Sequence, residues 1–306
     1  MRVVRDLSIK PGLSVSELVE QFYSSGGFAA KYLGVAAHIL KKMVGDERCV
    51  RFLSFVAAPV STGLRGVFAE LVKRGMFDVL ITTCGALDHD IARSLGEYYE
   101  GDFWMDDAEL REKGYHRLGS VLIPLDAYGP AVEKFVQGSL ESVYVDGVRE
   151  VGSIDVARIL GERLNDERSI LYWAARKGVK VFVPGIMDGA VGTQLWLFQQ
   201  KHRDFRLNLF KDSEHLAEIV FKAKRTGALM VGGGISKHHT LWWNQFKEGL
   251  DYAVYITTAC EYDGSLSGAL VREAISWGKV KPEAEKVTVH GDATIILPLL
   301  AAYLID

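Results

Sequence analysis

Short apolar runs alternate with stretches whose apolar residues recur at helical spacing along most of this chain. The two periods divide it into strands and helices. Ser14-Val15-Ser16-Glu17 is a capping-box pattern and predicts a helix to about Tyr23, broken by Gly26-Gly27. A second helix is predicted from Phe28 to Val44. Val50–Val56 reads as the first core strand; it runs into the small-residue loop Ala57–Gly63 and a helix from Leu64 to Arg74. Val79–Thr82 reads as the next strand, and Cys84-Gly85-Ala86-Leu87-Asp88-His89-Asp90 opens a further helix. Gly101 to Ser120 is polar and irregular, its acidic cluster Asp106–Glu109 marking a solvated face or a helix start. Helices are then predicted at about Tyr128–Leu140, Ile154–Leu164, Glu167–Lys177 and Ser213–Thr226, with strands at Val179–Val183 and Phe205–Leu209.

The stretch from Ala228 to Ala293 organises the rest. Ala228-Leu229-Met230-Val231 closes on Gly232-Gly233-Gly234, which reads as a buried strand, a tight turn and then a helix carrying His238-His239. A strand Tyr252–Thr257, a segment ending in Trp277-Gly278-Lys279, a strand Lys286–His290 and the turn Gly291-Asp292-Ala293 follow. The last helix, Asp292 to Leu304, is expected to start on Asp292 as cap and to kink at Pro298. Strands alternating with helices predict an α/β fold, a parallel sheet covered on both faces. No linker, repeat or low-complexity segment cuts the chain, so one large domain is expected, residues 1–45 supplying N-terminal helices and residues 46–306 the core.

Composition narrows the picture further. A chain of 306 residues with 48% hydrophobic and 25% charged residues can bury a substantial core. A net charge of −3 gives no footprint for nucleic acid or for an anionic membrane. Cys49, Cys84 and Cys260 lie far apart with no CxxC spacing, and a reducing cytoplasmic home is expected. The N-terminus lacks an apolar signal core, and no run of about 18 uncharged apolar residues is present to span a bilayer.

Candidate chemistry gathers at strand ends, where open α/β sheets bind ligands. Ser61-Thr62-Gly63, Thr82-Thr83-Cys84-Gly85, Gly232-Gly233-Gly234 and Gly291-Asp292-Ala293 each offer backbone N–H groups near a helix start, as a pyrophosphate requires. None matches GxGxxG, and such glycines also serve as plain packing or turn devices; together they point to a dinucleotide. Lys279, two residues after Trp277, is a candidate nucleophile, since an indole wall would desolvate its amine; the alternative is a surface lysine after a turn. His238 is a candidate base, or else a helix-start histidine bonded to backbone. Asp88, Asp188, Asp263, Glu273 and Asp292 would together suit an oligoamine; singly each reads as a helix cap or ribose contact. Trp196, Trp242 and Trp243 read as core or subunit-interface residues. No metal is expected, because ligand spacings and HExxH are absent.

The run Gly232-Gly233-Gly234-x-x-Lys237-His238-His239, then Asp251–Ile256 with Thr258-Ala259, Asp263-Gly264-Ser265-x-Ser267-Gly268-Ala269 and Glu273-Ala274-x-Ser276-Trp277-Gly278-Lys279 resembles the deoxyhypusine synthases, of archaeal type. The likeness extends back through Asp188-Gly189, Val79–Thr83 and Ser61–Arg65 and covers nearly the whole chain. It implies a Rossmann-like, NAD-binding fold and an NAD-dependent aminobutyl transfer. Spermidine is oxidised to an imine, Lys279 takes the aminobutyl group as an enzyme imine, and 1,3-diaminopropane leaves. The group passes to one lysine of the translation factor 5A precursor and is reduced there. The resemblance makes His238 the base that deprotonates the amine. It assigns Asp88, Glu273, Trp277, Gly264 and Ser265 to the polyamine, and Ser61, Thr83, Gly85, Asp188, Gly233, Thr258, Ala259, Asp263, Ser267, Asp292 and Ala293 to NAD. It also implies a homotetramer with sites at subunit interfaces.

Several positions depart from the eukaryotic pattern: Leu266 and Thr193 stand for acids, His89 for a glutamate, Trp242 for an asparagine and Ala57-Ala58 for Ser-Asn. A charge-assisted partner is worth roughly 1.5–3 kcal/mol. The expectation is a cage lighter in carboxylates, holding spermidine differently or taking a related amine. Two other readings stay open: a homospermidine-synthase-type transfer to a free diamine, and a non-catalytic dinucleotide-binding protein on the same fold.

Overall fold

The computed structural model describes residues 3–306. The chain forms two compact units. The first comprises the residues up to Phe55, Met76–Ile81 and Leu216–Asp306; the second comprises Val56–Gly75 and Thr82–His215.

The first unit is built on parallel strands in the order Val280–His290, Leu250–Thr257, Arg225–Val231, Cys49–Phe55 and Val79–Ile81. One row of apolar residues crosses all of them, Val287, Val254, Leu229, Leu53 and Leu80 standing side by side in register. Thr226–Val231 and Tyr252–Thr257 are buried at every position rather than at alternate ones. Such unbroken burial requires cover on both faces of the sheet. The chain enters mid-sheet at Cys49–Phe55, steps out to Val79–Ile81, and returns on the other side for the remaining strands. The order therefore reverses between Cys49–Phe55 and Arg225–Val231, and a switch of this kind opens a crevice at the strand carboxyl ends. Gly232-Gly233-Gly234 leaves from that point.

The capping box forms at the Val15–Ser25 helix, with Ser14 accepting from the Glu17 N–H and Glu17 from the Ser14 N–H. Asp292 caps the final helix, Ala293–Ile305, through the Thr294 N–H, and Pro298 lies inside that helix.

Several boundaries differ from the sequence reading, three of them for a visible physical reason. The helix expected to reach Thr226 ends at Lys222, and Arg225 already belongs to a strand. Cys49–Phe55 pairs with Arg225–Val231 residue for residue, and the Thr226 N–H donates to the Asp251 carboxylate at 2.9 Å, so ladder bonds outcompete another helical turn. The edge strand starts at Val280 rather than Lys286, because Val280 still pairs with Leu250 across a register shift. The stretch read as irregular holds the Asp107–Glu112 helix, capped by Asp106, and the strand Tyr115–Leu118, which pairs antiparallel with Val121–Pro124 just beyond it.

The second unit is mainly helical. Its Leu64–Lys73, Cys84–Leu95 and Ile170–Lys177 helices are tied by buried Arg65 and Asp90. Among the described residues no helix is long and apolar enough to cross a membrane.

Candidate active site

In the first unit the Gly232–Gly234 turn opens the Gly234–Asn244 helix. Gly232 and Gly234 both hold positive φ, 76° and 70°. Gly233 is needed for another reason: a Cβ there would lie 2.1 Å from the Ser267 Oγ. The loop carrying Asp263, Gly264, Ser265 and Ser267 thus packs directly on the turn. Tyr255 and Thr257 hydroxyls fix it further, both donating to the Ser267 carbonyl, at 2.7 and 3.1 Å. Within the loop Ser265 donates its N–H and hydroxyl to Asp263, and these bonds hold the Asp263 carboxyl below its usual range.

Lys237 anchors the same loop from inside. It is 1% exposed, and its amine donates to the Leu266 and Ala269 carbonyls at 2.9 and 2.6 Å. The amine also stands 3.7 Å from the Tyr255 ring centre. Burial lowers its pKa to about 8, against an opposing pull from Glu273.

Lys279 follows a turn in which its own N–H donates to the Ala274 carbonyl, and its carbonyl accepts from the Leu250 N–H. It therefore sits at the amino end of the edge strand, not in a carboxyl-end loop as the sequence suggested. The Gly234–Asn244 helix accounts for the meeting of residues from the two ends. At about 1.5 Å per residue it carries His238 and Trp242 away from the glycine turn. The Lys279 amine lies 5.5 Å from the Trp242 ring centre and 5.0 Å from that of Trp277. The His238 and Trp242 rings stack at 5.8 Å, with 24° between their planes. Burial, then the Lys279 charge, pull the His238 pKa below its ordinary value. Among the described residues no hydrogen-bonding partner occupies the His238 ring, whereas His239 accepts from the Trp243 indole at 3.1 Å and is lowered to about 4 by burial. Glu273, Thr258 and Asp292 are exposed in this unit, and Ala259 and Ala293 half-buried.

In the second unit the Cys84–Leu95 helix starts at Thr83 with no side-chain cap. The Thr83 hydroxyl is buried without a partner. Gly85 lies close to Ala57, and the Ser61 hydroxyl donates to the Ala58 carbonyl at 2.7 Å. Asp188 is exposed. Asp88 departs from its expected role as an open amine contact. It is fully buried and caps the Ala190–Lys201 helix, taking N–H bonds from Ala190 and Val191 at 2.8 and 2.9 Å and the Tyr128 hydroxyl at 2.9 Å. Burial pushes its carboxyl up while those donors hold it back. In the sequence Asp88 read singly as a helix cap or ribose contact; the helix it caps lies about a hundred residues away.

A model of the family described as deoxyhypusine synthase matches residues 17–304. The chain belongs to the deoxyhypusine synthase family. It is 53% identical over 301 residues to a probable deoxyhypusine synthase of Thermoplasma acidophilum, covering 98% of this chain and 96% of that one. It is 49% identical over 303 residues to a probable deoxyhypusine synthase of Sulfurisphaera tokodaii, covering 99% and 96%. Among solved structures it resembles a putative deoxyhypusine synthase from Entamoeba histolytica, with a TM-score of 0.66 and 23% identity over 98% of this chain and 96% of that one. It also resembles a putative LOR/SDH protein from Methanococcus maripaludis, with a TM-score of 0.53, 13% identity and coverage of 100% and 75%. These two likenesses describe the fold. As a deoxyhypusine synthase relative the chain is a transferase of hypusine formation.

Against that family frame, two residues went unassigned in the sequence. Lys237 was visible only as part of a motif, and Trp242 was read as core or interface and, by the resemblance, as standing in place of an asparagine. Trp242 is 43% exposed and Trp196 50%, so neither is core within the protomer. The signal for Trp242 was its spacing: four residues after His238 places the two on one helix face.

Proposed function

We propose that this chain transfers the aminobutyl group of spermidine, through Lys279, to one lysine of the translation factor 5A precursor. The observation that carries the reading is the Lys279 amine lying within 5.5 Å of two indole ring centres, one of them stacked on His238, whose ring has no hydrogen-bonding partner among the described residues. Hydride and proton leave the donor amine, giving a C=N bond. Lys279, uncharged, adds to that carbon, and 1,3-diaminopropane departs as the carbon–nitrogen bond to it breaks. The acceptor lysine then adds and displaces Lys279, and hydride and proton saturate the new C=N bond.

NAD, when bound, supplies the hydride acceptor of the first step and the donor of the last. The residues fit such a group. The Gly234–Asn244 and Cys84–Leu95 helices both begin without a side-chain cap, the Thr83 hydroxyl is buried and unpartnered, and a Cβ on Gly234 would meet nothing within 4 Å. Uncapped helix starts after strands favour a pyrophosphate. Gly233, Thr258, Ala259, Asp263, Ser267, Asp292 and Ala293 of the first unit would hold it, and the resemblance adds Ser61, Thr83, Gly85 and Asp188 as cofactor contacts.

His238, whose charged form partial desolvation and then Lys279 disfavour, takes the proton from the donor amine. Glu273 and the Trp277 face hold the cationic ends of the polyamine, with Gly264 and Ser265 beside them. Asp88, which caps the Ala190–Lys201 helix, is not proposed as an amine contact. The enzyme is proposed to work as a cytoplasmic homotetramer.

The test is borohydride trapping with spermidine and NAD, followed by peptide mapping. An aminobutyl mass on the Lys279 peptide is expected, and Lys279→Arg should abolish it while leaving NAD affinity unchanged, since arginine does not become a neutral nucleophile. An adduct on any other lysine, or an unimpaired arginine variant, refutes the reading. Offering a free diamine alongside the protein acceptor separates this reading from homospermidine-type transfer.

A further inference from the structure

The proposed reaction passes its cargo through a positively charged nitrogen, the protonated imine on Lys279. The only assigned ring for that charge is Trp277. Yet Trp242 stands nearly as close, 5.5 Å against 5.0 Å from the amine, and both lie within the roughly 6 Å at which a ring face attracts a cation. Trp242 is also stacked on His238 one helical turn back, and Phe246 meets it edge-on at 6.1 Å and 89°. Its orientation is thus fixed from both sides along the helix. Among the described residues no carboxylate forms an ion pair with Lys279, so ring faces are the electrostatic partners that its cation has.

We infer that Trp242 is a second π wall of the Lys279 site, a positioning residue that stabilises the protonated imine and holds the His238 ring parallel beside it. This rests on Lys279 being the carrier. Its substrate consequence is selection for aliphatic amines, whose cationic nitrogen and flanking methylenes both suit an indole face, over amines whose recognition needs a second carboxylate.

The test forms the same cation without cofactor or spermidine. Butanal condenses with the Lys279 amine, releasing water, and borohydride reduces the imine to a butyl-lysine that peptide mapping quantifies. At subsaturating butanal, Trp242→Phe should trap to within about 3-fold of the parent chain, because it keeps a ring face. Trp242→Leu and Trp242→Asn should trap about 2- to 30-fold less, the range a cation–π contact spans. Leucine keeps apolar bulk, so equal trapping by the leucine and phenylalanine variants, at matched melting temperatures, overturns the inference in favour of a packing role. A second arm with spermidine and NAD separates the two claims. If butanal ranks the variants as expected but spermidine leaves no mass on the parent chain, the wall stands and the transfer reading falls. If spermidine labels Lys279 in all variants alike, and butanal does too, the wall falls and the transfer reading stands.

Discussion

Replacing Arg65 by methionine should strand a buried charge in the second unit. Arg65 is 2% exposed and Asp90 1%, and the guanidinium Nε donates to the Asp90 carboxylate at 2.6 Å. The same guanidinium donates to the Asp90 carbonyl, Ser94 and, at 2.8 Å, Asp166. Methionine keeps the aliphatic bulk and removes every one of those bonds. Asp90 would retain its bonds from the Ser169 hydroxyl and the Ile170 and Leu171 N–H groups, at 2.8, 3.2 and 2.8 Å, but with no buried counter-charge. Asp166 keeps Arg168 and is nearer the surface, so it suffers less. Removing one partner of a buried pair costs about 3–5 kcal/mol. Pairing the change with Asp90→Asn should recover part of that loss, because no charge is then stranded, giving a coupling of about 1–3 kcal/mol in the double-mutant cycle. Urea unfolding followed by tryptophan emission reads this directly, with Trp173 in the affected Ile170–Lys177 helix. A cost below about 1 kcal/mol for Arg65→Met, or strictly additive single and double variants, would refute the assignment of the buried charge pair as the tie between these helices.

Lys237→Met should free the loop it anchors: hydrogen exchange at residues 264–270 is expected to rise at least tenfold, with a global cost of about 1–3 kcal/mol from two lost charge-assisted bonds partly offset by relief of burial; unchanged protection there would contradict the anchoring role. Acid should destabilise the protein through its buried histidines. His89 and His239 fall to about 4 in the folded chain from an ordinary 6.5, so the folded state binds fewer protons between those values. The stability each contributes is present above pH 6.5 and lost as pH falls through 4, up to about 3 kcal/mol apiece. Urea midpoints measured from pH 7 to pH 4.5 should drop more steeply in the parent chain than in His239→Gln; parallel curves would remove His239 from the account.

Much of the fold was legible in the chain because local rules and tertiary structure agree there. The Ser14–Glu17 box, the Gly232–Gly234 turn into a helix and the Asp292 cap are each settled within four residues. Unbroken apolar runs such as Ala228–Val231 announced a sheet covered on both faces before any pairing was known. The motif from Gly232 to Lys279 pointed to the family, since a rare combination of residue types at fixed spacing is specific.

What the chain left undecided depended on partners distant in sequence. Whether residues 223–226 continue a helix or join a strand turned on the Arg48 carbonyl and the Asp251 carboxylate, which take the Arg225 and Thr226 N–H groups. Asp88 looks the same in sequence as cap or as amine contact; the N–H groups of Ala190 and Val191 make it a cap. Lys237 and Lys279 are both lysines near glycines, yet one is sealed under a loop and the other faces two indoles. Spacing along a chain fixes which residues share a helix face, because helix geometry is local. Which charges are desolvated, and by whom, is set by packing between segments far apart, and only the folded structure contains that information.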